Sequence, residues 1–417
     1  MKYKISDICD LNCSSITNKD KYETILYLDT SSITNNKIES LQTLSMKEAP
    51  SRAKRKVNSN TIIYSTVRPN LKHYGILKNP ADNLIVSTGF ATIDIKDKYK
   101  EDINAEYLYL LLSNQSIVDY LSTMAESAVS AYPSINPDDI GDLSFNFPDI
   151  DMQRKIAEAI FPLENKIALN TRMNAELEAM AKQLYEYWFV QFDFPDEKGK
   201  PYKSSGGKMV YNEILKREIP EGWGVQKLEE ILSLLRDGTH NPPKRVESGI
   251  PLLTGTMFGN YFIDHSLATY ITEVDYNNIH KQYKPQSGDI ILTKIGTIGN
   301  VNFLRDKDIP LAIHCNSALL RFPLELGKSF PFFLCKSQLF LLRLKAMKGQ
   351  SVQEFVSLEK IGSVRVEIPK NEIISLFNQK VDKIFDEIKN LTEEIDSLSH
   401  LRDSLLPMLM NGQVTVE

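Results

Sequence analysis

The densest run of positive charge in the sequence lies at residues 51–56, Ser-Arg-Ala-Lys-Arg-Lys. Between Lys47 and Lys78 the chain carries eight lysines and arginines and a single acid, Glu48. Lysine and arginine commonly bind nucleic-acid phosphates, and such contacts position a protein without specifying a base sequence. The run gives four candidate phosphate contacts: Arg52, Lys54, Arg55 and Lys56. The alternative is a solvated loop whose charges meet only water.

Two further cations follow an apolar, strand-like run at residues 62–67. Arg68 precedes Pro69, and Lys72 lies four residues beyond Arg68. A loop at the end of a strand can carry side chains into a DNA groove, and arginine is the commonest reader of guanine. We therefore predict DNA contact by Arg68 and Lys72. Pairing of these cations with surface acids is the competing interpretation.

The second half of the chain offers two candidate loops. In the first, a glycine and two prolines stiffen a polar stretch at residues 238–245. This stretch would hold side chains against DNA, or it would form only a structural turn. Its candidate residues are Thr239, His240, Lys244 and Arg245. The second loop, residues 294–300, is a glycine-rich turn at the end of a strand-like run. It is equivalent in position to residues 66–72, and its candidate residues are Lys294 and Thr297. No Lys-Ser/Thr follows its GxxG spacing, so a nucleotide-binding P-loop is not predicted.

No pattern of catalytic or metal-ligating residues stands out. Asn241-Pro242-Pro243 superficially matches the Asn-Pro-Pro of adenine methyltransferases. Those enzymes place an aromatic residue next, to stack on a flipped base, whereas Lys244 follows here. HExxH and His/Cys ligand spacings do not occur, and no carboxylate pair is suited to a cleavage metal. We predict a chain with no catalytic residue, no metal site and no cofactor. An adenine-specific DNA methyltransferase and a helical interaction scaffold without DNA stay as alternatives.

The bulk properties fit a soluble protein of several domains. A chain of 417 residues can bury two or three cores, and 42% hydrophobic with 25% charged residues is ordinary for such proteins. No apolar stretch reaches the roughly 20 residues that span a bilayer. Four cysteines without a CxxC pair favour reduced thiols and a cytoplasmic location. The net charge of −5 weighs mildly against nucleic acid, but its distribution along the chain is uneven.

The sequence repeats itself at about half its length. Residues 140–148 align with residues 361–369 at an offset of 221, which holds without a gap through the apolar positions that follow. Upstream, residues 59–66 align with 287–294 at 228, and residues 5–8 with 228–231 at 223. Matches in the same order predict a duplicated module. Each copy would be an α+β domain that ends in a short strand, a proline and a long helix.

The two predicted long helices carry apolar residues at alternating spacings of four and three. This spacing makes a continuous seam that needs a partner helix, and the simplest solution is that the two helices pair. The alternative is that each helix only covers its own domain. Asn170 and Asn174 lie on the first seam where Leu391 and Ile395 lie on the second, and a buried asparagine would fix the pairing register. Pro162 would kink the first helix or mark a second start.

Several strings resemble those of one known family. Residues 188–195, Trp-Phe-Val-Gln-Phe-Asp-Phe-Pro, and then 199–207 and 219–223 resemble the central junction of type I restriction–modification specificity subunits. Residues 236–243, Arg-Asp-Gly-Thr-His-Asn-Pro-Pro, are similar to a motif near the start of their recognition domains. Residues 149–167, which include Gln153, are similar to the start of their helical region. Two departures are Ile374 in the place of Gln153, and the lack of a first-half counterpart to Pro220-Glu221-Gly222-Trp223.

The resemblance implies an α+β protein with two target-recognition domains joined by two long antiparallel, coiled-coil-like helices, with pseudo-twofold symmetry. The expected division is residues 1–148 for the first recognition domain, 149–192 for the first helix, 193–218 for a linker, 219–369 for the second recognition domain and 370–417 for the second helix. Each domain would read one half of a bipartite double-stranded DNA target, with the helices as a ruler. Modification (methyltransferase) subunits, two in number, and restriction subunits would be the partners. Methyl donor, ATP and magnesium would bind those partners and not this non-catalytic chain.

Overall fold

A computed structural model describes residues 2–17, 19–127, 133–241, 243–347, 354–410 and 412–414. The chain divides into two compact units. Unit 1 comprises Met1–Arg172 and Thr392–Glu417, and unit 2 comprises Met173–Leu391. Within the described part of the chain, no helix is long and apolar enough to cross a membrane.

Unit 1 contains three sheets and a small hairpin. Its strands are β1 (Lys2–Lys4), β2 (Cys9–Leu11), β3 (Thr24–Leu28), β4 (Ile33–Thr34), β5 (Lys37–Ile38), β6 (Gln42–Ser45), β7 (Ala53–Lys56), β8 (Thr61–Ser65), β9 (Tyr74–Leu77), β10 (Leu84–Ser87), β11 (Phe90–Ile95) and β12 (Ser144–Asn146). The sheet orders are β2-β11-β8-β9, β6-β3-β10-β7 and β1-β12, and β4 pairs with β5. Its helices are α1 (Ile5–Ile8), α2 (Ala105–Ser113), α3 (Gln115–Ser127), α4 (Pro137–Gly141) and the first part of α5 (Ile150–Tyr185).

Unit 2 has an equivalent set of elements. Its strands are β13 (Met209–Asn212), β14 (Arg217–Pro220), β15 (Gly224–Lys227), β16 (Leu234–Asp237), β17 (Ile250–Leu253), β18 (Thr269–Ile271), β19 (Ile290–Thr293), β20 (Val301–Phe303), β21 (Ala312–Ile313), β22 (Ser317–Arg321) and β23 (Arg365–Ile368). Its helices are α6 (Glu273–Ile279), α7 (Ser329–Lys336), α8 (Gln338–Ala346), α9 (Leu358–Gly362) and the first part of α10 (Asn371–Met410). The sheet orders are β16-β22-β19-β20, β18-β17-β21 and β15-β23, and β13 pairs with β14.

The two units share the main features of their topology, although the second sheet has four strands in unit 1 and three in unit 2. The four-stranded sheets β2-β11-β8-β9 and β16-β22-β19-β20 are antiparallel at every pairing. In the second sheet of each unit, a parallel pair (β3 with β10, β17 with β21) has an antiparallel strand beside it (β6, β18). Strand β1 pairs with β12, the strand before α5, and β15 pairs with β23, the strand before α10. These equivalences confirm the duplication that the sequence repeat predicts.

The central strand of each unit is buried on both faces, because successive side chains of a strand point to opposite sides. In β8, Ile62 and Tyr64 join the core that contains α2, whereas Ile63 joins a second core behind the sheet. In β19, Ile290 and Leu292 join the core that contains α7, whereas Ile291 joins a second core. The long apolar runs at these positions therefore reflect strands buried on both sides.

The two longest helices contribute to both units. Helix α5 has 36 residues and α10 has 40. In unit 1, the start of α5 shares a core with Leu405, Leu406 and Leu409 near the end of α10. In unit 2, Tyr185 at the end of α5 packs edge-on against Phe377 near the start of α10, with ring centroids 5.9 Å apart. Helix α5 continues through Pro162, so the second start considered at this proline does not occur.

Residues 193–218, assigned above as a linker, are folded within unit 2. Strand β13 pairs with β14 in a hairpin. Phe194 stacks on Tyr202 at 4.7 Å and on Trp223 at 5.3 Å between ring centroids. The junction strings that carry the family resemblance thus include aromatic core residues of this unit.

Candidate nucleic-acid interface

Residues Ala53–Lys56 of the basic run form strand β7, whereas Arg52 lies in the exposed turn before it, so the run is only in part the solvated loop considered as its alternative. Strand β7 is the edge strand of its sheet, and Ala53 is its buried contact with the core. Arg52 and Lys54 are exposed. The other two cations are partly engaged. A guanidinium nitrogen of Arg55 donates to the carbonyl of Asn12 at 3.4 Å, and Lys56 pairs with Asp20 at 2.7 Å.

The second candidate pair lies on the turn that follows β8. Arg68 is exposed, and Lys72 is half-buried. Both have left-handed backbones, with φ of 48° and 56°, which is uncommon for residues other than glycine. The Lys72 ammonium donates to the side chain of Gln115 on α3 at 2.7 Å, so this lysine is tethered within its own unit.

The turn Thr88–Gly89 brings these two regions of unit 1 together. The N–H of Thr88 donates to the carbonyl of Arg52 at 2.8 Å, and the N–H of Thr66 donates to the carbonyl of Gly89 at 2.9 Å. Arg52 and the loop that carries Arg68 therefore flank the same two-residue turn. The sequence alone gave no reason to single this turn out.

Unit 2 has a similar arrangement around Cys315–Asn316, although Thr239 follows β16, the counterpart of β2, whereas Arg52 precedes β7. The N–H of Cys315 donates to the carbonyl of Thr239 at 3.0 Å, and the N–H of Lys294 donates to the carbonyl of Asn316 at 2.8 Å. Both candidate loops of the second half, separated by more than fifty residues in sequence, meet at this turn. We call the two turns, with the loops that flank them, the turn clusters of units 1 and 2.

The Asp-Gly-Thr-His string is held in place by close backbone packing. A Cβ atom on Gly238 would lie 1.7 Å from the carbonyl oxygen of Ile313, so only glycine fits here. The N–H of Thr239 donates to this same carbonyl at 2.9 Å. The string is therefore an anchored extension of β16, and the residues that follow project from a fixed point.

Asp237 organises the charges of the unit 2 turn cluster. Its carboxylate lies 3.2 Å from the Lys294 ammonium and 3.3 Å from Nε2 of His240. The Lys294 side chain is only 7% exposed, whereas that of His240 is 71% exposed. Lys294 is thus a buried positioning group, and His240 faces solvent. The importance of Asp237 was missed from sequence, because an acid gives no signal for phosphate binding.

The remaining predicted residues of unit 2 are accessible. Thr297, Lys244 and Arg245 are exposed, and Thr239 is half-buried. Burial lowers the pKa of His314, which precedes the turn, and His240 and Arg245 lower it further. Pro242 of the Asn-Pro-Pro string lies outside the described residues.

Among the residues that the structure places, no group of three histidine, cysteine, aspartate or glutamate side chains could hold a metal ion.

Comparison with known proteins decides what kind of protein carries these clusters. The family model described as "Type I restriction modification DNA specificity domain" matches twice, at residues 1–179 and 220–403. The chain belongs to this specificity family. Its function is therefore that of a type I restriction–modification specificity subunit, which recognises DNA sequence. The two matches favour this function over the methyltransferase and scaffold alternatives.

Individual relatives agree with the family match. The chain is similar to the HindI specificity subunit of Haemophilus influenzae, 25% identical over 99% of both chains. It is also similar to the MjaIX specificity subunit of Methanocaldococcus jannaschii, 27% identical over 85% of this chain and 78% of that one. Among solved structures, the S subunit of a type I system from M. genitalium shares the fold, with a TM-score of 0.57 and 17% identity over 98% of this chain and 95% of that one.

Proposed function

We propose that this specificity subunit reads a bipartite double-stranded DNA target, one half-site with the turn cluster of each unit. The observation that carries this proposal is the recurrence of one turn in two units of similar fold, joined in each unit to the loop that follows β8 or β19 and to a second backbone segment. Two units of similar fold whose turn clusters present different side chains would read two different half-sites. The chain itself would be non-catalytic.

The contacts would divide into positioning and reading contacts. Exposed cations at the cluster of unit 1 (Arg52, Lys54) and of unit 2 (Lys244, Arg245) would bind phosphates. Arg55, Lys56 and Lys72 are tied to protein partners and would contribute charge from a distance. Thr239, His240 and Thr297 project at the second cluster and would approach base edges. Lys294, paired with Asp237, would hold the loop in position.

The long helices would act as an antiparallel, coiled-coil-like spacer with pseudo-twofold symmetry. In unit 1, Asn170 of α5 donates to Glu394 of α10 at 2.7 Å, and Lys166 lies 3.4 Å from the same carboxylate. In unit 2, Phe189, just beyond α5, packs against Phe377 of α10 at 4.9 Å between centroids. Contacts of this kind in each unit support a paired stalk. The domain division 1–148, 149–192, 193–218, 219–369 and 370–417 belongs to the same proposal.

Each unit also carries an exposed apolar stripe on a long helix. In unit 1 it comprises Leu401 and Met408, which are 46% and 42% exposed. In unit 2 it comprises Met173 and Met180, which are 37% and 50% exposed. Residues seven apart lie on one face of a helix, and exposed apolar patches mark interaction sites. We assign the stripes to two modification subunits, one on each unit, with restriction subunits joining the assembled complex. Methyl donor, ATP and magnesium would bind these partners.

Exchange of one recognition domain tests the two-sensor proposal. Replacing residues 1–148 with the first domain of another specificity subunit should change one half-site of the methylated target and leave the other unchanged. A change in both half-sites would contradict it.

Deleting one or two turns of α5 between Leu163 and Leu184 should alter the spacer and preserve both half-sites. An unchanged spacer would contradict the proposal that the long helices set the distance between the half-sites.

A further inference from the structure

Arg68 and Gly296 occupy equivalent positions in the two units. The N–H of Arg68 donates to the carbonyl of Pro133 at 2.9 Å, and the N–H of Gly296 donates to the carbonyl of Glu354 at 3.1 Å. The preceding residues, Val67 and Ile295, form matching antiparallel bridges to Ser134 and Phe355. Both positions have left-handed backbones, with φ of 48° and 77°.

The presence of arginine at this position calls for an explanation. A left-handed backbone is unstrained for glycine and strained for residues with a Cβ atom, and unit 2 has glycine there. Backbone strain of this kind persists at functional sites, where the side chain or its placement is needed. The arginine of unit 1 therefore occupies a position at which glycine would serve the fold better.

The loop around Arg68 is rigid and its tip is accessible. Pro69 is buried and opens a short 3-10 turn over Pro69–Leu71, and Lys72 closes it with a backbone hydrogen bond to Pro69. The tip is not a uniformly polar surface, because Val67 and Leu71 are 38% and 45% exposed. A tip that carries an arginine and two exposed apolar side chains suits a base edge, which offers guanine acceptors and thymine methyl groups.

We propose that Arg68 is a base-reading residue of unit 1 that discriminates guanine in the first half-site, and that unit 2 has no such reader at the equivalent position. This inference rests on the proposed function and makes it specific. The two units thus share a fold, but they contact bases with residues at different positions. Half-site two is read from the other side of its turn, by the loop that carries Thr239 and His240.

The space around Gly296 allows the exchange to be made in both directions. A Cβ atom at Gly296 would meet nothing within 4 Å, so a side chain there has room to leave the backbone, with the same left-handed strain that Arg68 bears. Glycine at position 68 would relieve the left-handed strain. Arg68 and Gly296 are both exposed, so neither Arg68→Gly nor Gly296→Arg removes a core residue, and thermal unfolding of each variant is the check that it folds.

The test is selection of bound DNA from a randomised double-stranded library by the complex of this chain with its modification subunits. Arg68→Gly should make one position of the first half-site degenerate, lowering discrimination there by roughly 5- to 150-fold, with the second half-site unchanged. Arg68→Lys keeps the charge but not the planar fork, and should lose the same discrimination. Gly296→Arg should add a base preference in the second half-site only.

The outcomes separate this inference from the proposed function. A bipartite target whose first half-site is unchanged by Arg68→Gly, or fully preserved by Arg68→Lys, would overturn the assignment of Arg68 alone. A second half-site unchanged by Gly296→Arg would overturn the claim that this position faces bases. A wild-type complex that selects no bipartite target would overturn the proposed function and this inference with it.

Discussion

The side-chain amides of Gln153 and Asn378 make the same kind of tether, one in each unit. When α5 and α10 are aligned at the repeat offset, Asn378 lies one helical turn beyond the position of Gln153. Gln153 on α5 accepts a hydrogen bond from the N–H of Asn104 at 3.0 Å and donates to the carbonyl of Asp102 at 2.9 Å. Asn378 on α10 accepts from the N–H of Phe330 and donates to the carbonyl of Leu326, both at 2.9 Å. Each amide thus fixes the start of the helix that packs behind the central sheet, α2 or α7.

Loss of either tether should destabilise its unit. Gln153→Leu leaves the backbone groups of Asp102 and Asn104 without this side-chain partner, so we expect the free energy of unfolding to fall by about 2 kcal/mol. The measurement is urea denaturation followed by circular dichroism. The control is Glu158→Leu on an exposed face of α5, which should change stability by less than about 0.5 kcal/mol. Equal effects of the two substitutions would contradict the tether.

The tether also shows what the sequence could and could not predict. The repeat and its offset correctly predicted two like folds, because buried apolar positions keep their spacing. The same alignment places Ile374 opposite Gln153, which is one of the two departures noted from the family pattern. Asn378 performs the tethering one turn later, where unit 1 has the buried Ala157. A role that moves along a helix leaves no signal in a position-by-position alignment.

The candidate interface was predictable by residue type but not by arrangement. Charge density draws attention to residues 51–56, but the strand formed by residues 53–56 depends on pairing with β10, which is a long-range contact. The pairing of Lys294 with Asp237 is also a tertiary contact, and it separates a buried lysine from the exposed ones. The convergence of distant loops on Thr88–Gly89 and Cys315–Asn316 depends on the sheet topology.

Asn170 should cost stability while specifying how α5 and α10 pair. It is fully buried, and its Oδ1 has no hydrogen-bond partner among the described residues, although its Nδ2 donates to Glu394. Asn170→Leu should raise the free energy of unfolding by about 1 kcal/mol, because the unpaired oxygen is replaced by apolar surface. Glu394→Gln keeps an acceptor for Asn170 and should be close to neutral in the same urea titration. A destabilised Asn170→Leu variant would show that the hydrogen bond outweighs the unpaired oxygen.

Gly238 should be indispensable to the unit 2 turn cluster. Gly238→Ala places a Cβ atom against the carbonyl of Ile313, so we expect a loss of about 3 kcal/mol in stability and loss of second-half-site preference. Gly255→Ala is the matched control, since a Cβ there meets nothing within 4 Å. Library selection with both variant complexes is the measurement. If Gly238→Ala retained the preference for the second half-site, then close packing of Gly238 against Ile313 would not be what positions the loop.

His280 should make the stability of unit 2 depend on pH. It is 1% exposed, and its Nε2 accepts the N–H of Ile313 at 3.2 Å. Burial, with a further contribution from Lys284, lowers its pKa from 6.5 to about 4. The unfolded chain therefore binds this proton more readily, so the contribution of His280 to stability is constant above pH 6.5 and falls by about 3 kcal/mol as pH drops from 6.5 to 4.

The pH effect is isolated by comparison with His280→Gln. Burial raises the pKa of Glu178 to about 7, which acts in the opposite direction because protonation then favours the folded state. Subtracting the unfolding free energies of His280→Gln from those of the wild type cancels this contribution. The difference should slope downward below pH 6.5. A flat difference between pH 4 and 7 would show that His280 is not held neutral.

The most direct test of the central claim is the DNA target of the wild-type chain, determined by mapping methylated adenines in cells that express it with its modification subunit. Two like sensors on one spacer predict two short, different sequence blocks separated by a gap of fixed length and no sequence preference. One contiguous block, or no shared sequence among methylated sites, would contradict the account.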